Sequence, residues 1–305
     1  MRIGVMAGAT AASGNTLRAI VDYAKMAEQR GFDSVWLANI FGFDAVAACG
    51  IAGWETSRIE FGTAVTPTYP RHPTALAQQA VTTSVACEGR FTLGIGLSHK
   101  LVIEDMLGMS YDKPAAHMKE YLQVVAPLLK GEAADFSGDQ YRVKIALDIP
   151  GSTPVPLIVA ALGPAMLKLA GTYADGTTTW MTGPKTIKSH IIPVISAAAH
   201  DAGRAAPRIV CGLPIVVTKN ADAAREKIAK DLAVYGMLPS YRAMLDREGV
   251  AGPAELSIVG DEAAVRSEIQ RLRDAGVTDF NAAVMPVEEG SIEATLDLLQ
   301  NELGQ

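Results

Sequence analysis

Three short stretches carry the residue types from which chemistry could be built. The first is GTAVTPTYPRHP, residues 62–73. It starts as an apolar strand and turns at once into threonines, a tyrosine, an arginine, a histidine and three prolines. Pro67, Pro70 and Pro73 restrict the backbone around them, so a rigid polar segment follows the strand, suited to hold something flat against its end. An ordinary strand-to-helix loop with proline at the helix start fits as well. The second stretch is LGIGLSHK, residues 93–100. Gly94 and Gly96 leave room for a ligand against the backbone, and Ser98, His99 and Lys100 then offer hydrogen bonds and positive charge. A tight barrel strand would use the same glycines. The third is ALGPAMLKLAG, residues 161–171. Gly163 and Pro164 open a helix whose first amides have no partner inside it, and those amides with the helix dipole favour an anion such as phosphate. Proline has no N–H, which leaves Gly163, Ala165 and Met166 as donors; a plain proline-capped helix start is the alternative.

Single residues are weighed in the same way. His72 stands among prolines and is expected to pack. His117 lies on a helix, where a surface or interhelical role is expected. His99 follows a strand end and is the choice for a proton donor. Asn39 closes an apolar run; its amide could meet a ring carbonyl or the substrate, or cap the loop that follows. Phe41, Tyr69, Trp180 and Met181 fall near strand ends and could shape a substrate face, although Tyr69 and Trp180 would serve equally as core aromatics. No cluster of His, Asp or Glu has metal-ligand spacing, so no metal is expected. Neither a serine nucleophile elbow nor a phosphate-binding P-loop occurs.

Strand-like and helix-like runs alternate along the chain. Strands are expected at 3–8, 33–39, 59–65, 90–98, 155–161, 176–182, 208–218 and 279–286. Helices are expected near 15–32, capped by Asn15 or Thr16, and at 44–56, 72–89, 163–174, 185–203, 221–248, 260–276 and 290–303. A helix at 113–131 and a hairpin at 134–143 form an insertion after the fourth strand. Eight strands each followed by helix imply a closed parallel (β/α)8 barrel, with an open doubly wound sheet as the alternative. No stretch reads as a linker, so 1–305 is taken as one domain. In such a barrel the reactive mouth lies at the strand C-termini, which brings Asn39, Ala64, Val65, Thr66, Gly96, Ser98, His99, Lys100, Ala161, Gly163, Pro164, Ala165, Met166 and Thr179 into consideration for binding.

Composition limits the partners. The chain has 305 residues, 49% hydrophobic and 20% charged, enough for a large core and unlike a disordered chain. A net charge of −6 argues against nucleic acid. No apolar run approaches membrane-spanning length, the N-terminus reads as a strand and not as a signal peptide, and a cytoplasmic location is expected. The three cysteines, Cys49, Cys87 and Cys211, sit among small or apolar residues without CxxC spacing and are expected to be buried thiols.

Taken together in order and spacing, GTAVTPTYPRHP, LGIGLSHK, AALGPAMLKLAGTYADG and IVGDEAAVRSEIQRLRDAGVTDF resemble the luciferase-like flavin and deazaflavin oxidoreductases, most closely the actinobacterial branch that uses coenzyme F420. The resemblance implies a TIM barrel and hydride transfer between the deazaflavin and an unidentified small organic substrate. It implies a cis peptide at Ala64–Val65 supporting the back of the ring, a phosphate site at Gly163, Ala165 and Met166 with Ser98, and a homodimer. Lys100 would meet the acidic tail of the cofactor. Where family members often carry Asp-His, this chain has Asn39-Ile40, which puts an identical acid–base mechanism in doubt. FMN-dependent monooxygenation and a non-catalytic flavin-binding barrel are the competing implications.

Overall fold

The computed structural model describes residues 1–8, 13–14 and 16–305. The barrel strands are β1 (Arg2–Ala7), β2 (Ser34–Leu37), β3 (Glu60–Thr63), β4 (Phe91–Gly96), β5 (Leu157–Ala160), β6 (Gly176–Trp180), β7 (Arg208–Val217) and β8 (Asp279–Val284). They pair in the order β7-β8-β1-β2-β3-β4-β5-β6, and β6 pairs with β7, which closes the sheet. The strands pair in parallel, as between β1 and β8 (Arg2↔Asp279 to Val5↔Ala282) and between β4 and β5 (Leu93↔Leu157 to Ile95↔Val159). This is the TIM barrel expected from the alternation. Its strands are nearly continuous runs of buried residues, as parallel strands covered on both faces must be.

The chain divides into two compact units. The first comprises Met1–Trp36, Thr178–Val194 and Arg208–Gln305. Here Asp279, 2% exposed at the start of β8, takes salt bridges from Arg208 at 2.7 Å and Arg2 at 3.3 Å. The Arg208 guanidinium also lies 5.9 Å from the Trp36 ring centroid, and the Trp36 indole N–H donates to Ser34 Oγ at 2.9 Å. These contacts sit at strand starts, the end of a barrel that serves stability.

The second unit comprises Leu37–Thr177 and Ile195–Pro207. Helix Ala45–Trp54 packs on helix Pro73–Ala86 through small residues: a Cβ on Gly53 would fall 2.2 Å from Cys87 Sγ. Arg90 donates to the carbonyls of Gly53, Thr56 and Ile59 beneath them. The insertion after β4 has a π-helical turn, Leu101–Met106, then helix Pro114–Leu129 and an antiparallel hairpin of Ala134–Ser137 with Arg142–Ile145. All three cysteines are buried free thiols.

Several expected boundaries shift for physical reasons. The second strand stops at Leu37, which places Asn39 and Ile40 in the following loop. The third stops at Thr63, and pairing resumes only at Thr66–Pro67 beside β4. The helical stretch expected over 221–248 is three helices, Ala221–Asp231, Ala233–Met237 and Pro239–Glu248; the last begins at a proline, which cannot continue its predecessor. The helix near 185–203 widens into a π turn at Ile187–Ile191 just before Pro193, whose ring nitrogen cannot donate the next ladder bond. A short strand not read from the sequence, Ile258–Gly260, pairs with the last residues of β7. Thr16 caps helix Leu17–Gln29 by accepting from the Ala19 amide; Asn15, the other expected cap, lies outside the described residues.

Candidate active site

The end of β3 is shaped by one bond. Ala64–Val65 is a cis peptide that does not precede proline, as the resemblance implies. Ala64 N donates to Leu37 O at 2.8 Å and Thr68 N to Gly96 O at 2.9 Å, so the segment is pinned to both neighbouring strands. The glycines of β4 fit against it closely. A Cβ on Gly94 would fall 1.8 Å from Thr63 O, and one on Gly96 would fall 2.6 Å from Val65 Cγ2 and 3.2 Å from Ala160 Cβ. The close approach that these glycines permit is therefore made by the protein's own chain. Thr66 is fully buried, and its hydroxyl has no hydrogen-bond partner among the described residues.

Beyond Thr66 an aromatic stack locks the proline-rich segment. The Tyr69 ring lies face to face with the His117 imidazole, centroids 4.0 Å apart and planes 4° from parallel, and Tyr111 stacks on Tyr69 at 5.3 Å. His117 Nδ1 is 2.8 Å from Gln140 Oε1, and its Nε2 is 3.0 Å from Thr68 Oγ1. The amide oxygen only accepts, so Nδ1 carries the proton and Nε2 accepts from the threonine hydroxyl. Burial pulls the imidazole pKa below its usual range, against the opposing pull of Gln140 and Glu120. Glu120 in turn accepts from the amides of Asp139, Gln140 and Tyr141, which fixes the hairpin turn. Burial, reinforced by the neighbouring phenols and acidic groups, raises the Tyr69 phenol to about 12. It is a donor at working pH, and its hydroxyl has no partner among the described residues.

His117 corrects an expectation: it is 3% exposed and central to this cluster, not a surface or interhelical residue. The signal was in the periodicity. His117, Met118, Tyr121, Leu122 and Val125 make one buried helical stripe, and the histidine sits on it. His72, expected to pack, is instead exposed: it caps helix Pro73–Ala86 by accepting from the Thr74 amide, with its ring edge-on to Tyr141 at 5.5 Å.

At the exit of β4, Ser98 adopts a positive φ of 61° and its carbonyl accepts from the Tyr111 hydroxyl at 3.3 Å. The His99 carbonyl accepts from the amides of Val102 and Ile103, opening the π turn, and burial lowers the pKa of its ring. Lys100 is 72% exposed, with Nζ 3.6 Å from Glu104. At the exit of β2, Asn39 Oδ1 accepts from the Ala45 amide at 2.9 Å and from Arg71 at 3.4 Å, while Arg71 also pairs with Asp44 at 2.8 Å. The Asn39 oxygen thus serves the start of the following helix. Phe41 projects into solvent, 65% exposed.

At the exit of β5 the structure opens. Ala161 is buried, whereas Gly163, Pro164 and Ala165 are exposed and Met166 is half-buried. Gly163 caps helix Pro164–Tyr173 without a side-chain hydrogen bond, and a Cβ there would meet nothing within 4 Å. In the first unit, Thr179 and Met181 are buried, and Met181 has a positive φ of 53°. Trp180 lies edge-on to Tyr235 at 5.9 Å, and its indole N–H has no partner among the described residues.

The family model for luciferase-like monooxygenases matches residues 1–279. The chain belongs to the luciferase-like monooxygenase family. Among its relatives, an F420-dependent glucose-6-phosphate dehydrogenase from Nakamurella multipartita is 31% identical over 271 residues, 83% of this chain and 77% of the relative. A 5,10-methylenetetrahydromethanopterin reductase from Methanolobus tindarius is 29% identical over 262 residues, covering 85% and 79% of the two chains. The structure of a coenzyme F420 dependent tetrahydromethanopterin reductase from Methanopyrus kandleri superposes with a TM-score of 0.80 over 99% of this chain and 98% of that one, at 23% identity, a likeness of fold. At this candidate site a preformed wall at β3 and β4 stands beside an open helix start at β5. The wall can support a flat ring, and free amides at a helix start can take an anion. Among the described residues no group of His, Cys, Asp or Glu could hold a metal ion.

Proposed function

We propose that the chain is an oxidoreductase that uses coenzyme F420 and exchanges a hydride with a small organic substrate. The observation that carries this reading is the 31% identity, over 83% of the chain, to a relative whose name specifies F420. The residues present fit such a group. Thr66 offers a fully buried hydroxyl without a partner beside the cis bond, suited to a polar ring edge. Gly163 faces open space, suited to a phosphate.

A bound deazaflavin supplies hydride donation and acceptance; the protein orients it and excludes competing reactions. In this reading Ala64 and Val65 form the back wall, braced by Gly96. The amides of Gly163, Ala165 and Met166, with Ser98, hold the phosphate, and Ala161 and Pro164 shape its approach. Asn39 lends its remaining amide hydrogens. Lys100 faces the acidic tail, and Phe41 and Tyr69 face the substrate. His99 holds the proton that accompanies the hydride. Its lowered pKa leaves it neutral near pH 7, so it accepts a proton when substrate is oxidised and donates best on the acid side. We also infer, from the family resemblance, a homodimer in the cytoplasm.

The test is a pair of equilibrium titrations of the purified protein, one with oxidised F420 and one with FMN, read by ligand fluorescence. F420 is expected to bind at least tenfold more tightly, about 1.4 kcal/mol. Tighter binding of FMN overturns the proposal in favour of a flavin monooxygenase. Tight F420 binding with no redox change across a broad alcohol, aldehyde and imine panel would favour a carrier.

A further inference from the structure

We propose that the substrate of this site is an uncharged, largely hydrocarbon molecule, received by two apolar loops that flank the end of β3. The first loop leaves β2 and exposes Ile40, Phe41 and Phe43 (48%, 65% and 46%). The second leaves β4 and exposes Leu101, Met106 and Leu107 (56%, 57% and 44%). In the sheet β2 and β4 are the two neighbours of β3, so these loops rise on either side of the cis bond. Both are tied to that segment. Asn39, which opens the first loop, accepts from Arg71, and Tyr111, just past the second, stacks on Tyr69. Single exposed apolar residues need no explanation, but several large ones on the two loops that flank the β3 exit mark a binding surface.

Charge selects the occupant. Residues 40–43 carry no charged side chain, and residues 101–109 carry only Glu104 and Asp105. Lys100, just before the second loop, is assigned to the acidic tail of the cofactor, and Arg71 is engaged by Asp44 at 2.8 Å. Within the loops a phosphorylated substrate would meet Glu104 and Asp105, with Lys100 left to the cofactor, and a hydrocarbon would cover surface that water now wets. The proposal rests on the hydride-transfer reading only for where the reacting end of the substrate sits; apolar binding itself requires no cofactor.

The experiment is calorimetric titration of the whole protein with straight-chain 2-alkanones from 2-butanone to 2-nonanone, and with glucose 6-phosphate, each with and without saturating F420. The dissociation constant is expected to fall about 3- to 4-fold per added methylene. Phe41→Ala and Leu107→Ala should each weaken 2-nonanone by at least threefold and weaken 2-butanone less. A dissociation constant indifferent to chain length, or tighter binding of glucose 6-phosphate than of 2-nonanone, overturns the proposal. Sedimentation equilibrium of a Phe41→Ser, Leu107→Ser double variant covers the remaining case: a mass below that of the parent assigns these loops to a subunit interface and also overturns it. Chain-length dependence without any F420 binding would remove the cofactor reading and leave this proposal standing.

Discussion

Two strand-to-helix junctions in the same compact unit are built on opposite plans. The junction after β3 is crowded. Its backbone is braced by β2 and β4, its glycine neighbours cannot accept a methyl group, and its aromatic side chain is clamped between two rings. The junction after β5 is bare: Gly163 has a φ of −82°, which any residue can adopt, no side-chain cap and no atom within reach of an added Cβ. Close packing costs freedom and yields a fixed shape. An open helix start leaves amides available to a ligand. The first plan suits a wall and the second an anion seat, so substitutions at the two should fail in different ways.

The largest contrast is expected between glycines. Gly94→Ala forces a Cβ to within 1.8 Å of a backbone oxygen that cannot retreat without breaking the Thr63–Gly94 hydrogen bonds. It should cost about 3 kcal/mol or more of folding stability, whereas Gly163→Ala should cost about 1 kcal/mol or less. Urea denaturation of both variants measures this; equal losses would erase the distinction. Next, His117→Ala removes a stacked ring and two hydrogen bonds from the crowded junction and should cost about 2–3 kcal/mol.

The same residue predicts a pH effect. Its folded pKa is depressed by burial, so between that value and the unfolded value of about 6.5 the unfolded chain binds more protons. The stabilisation is present above about pH 6.5 and is lost as pH falls through the folded pKa. Thermal melts at pH 7.5 and 5.5 should therefore show a larger acid loss for the parent than for His117→Phe. The variant keeps part of the loss through His99, whose pKa is also lowered by burial. A pH dependence identical in parent and variant would mean that His117 is not held neutral.

At the open junction the effect should fall on binding. Gly163→Val should weaken F420 at least tenfold, about 1.4 kcal/mol, with a stability loss near 1 kcal/mol. Unchanged F420 affinity in a folded variant would reject the phosphate seat. The smallest effect is expected at Lys100, exposed and paired only loosely with Glu104. Lys100→Glu should weaken F420 by about 1 kcal/mol or less, at low salt only, and leave FMN unaffected. An equal loss for both cofactors would place Lys100 away from the acidic tail.

What the sequence determined by itself was local or periodic. Buried β-branched runs alternating with helical stripes specify the barrel, because each element's period shows which faces must be covered. The proline-rich motif marked the end of β3, and small apolar surroundings marked the buried cysteines. Gly163-Pro164 marked a helix start, because proline and glycine act through their own backbone. What only the tertiary structure decided were relations between distant residues. Thr68 and His117 are 49 positions apart and meet because the insertion after β4 folds back onto the segment after β3. Arg71 reaches back 27 positions to Asp44 and so shares the Asn39 oxygen with the start of a helix. A side chain's own period tells which way it faces, but not which group of another element will stand there. That choice belongs to the tertiary fold, here the return of the insertion onto the segment after β3, which brought a helix histidine against that segment.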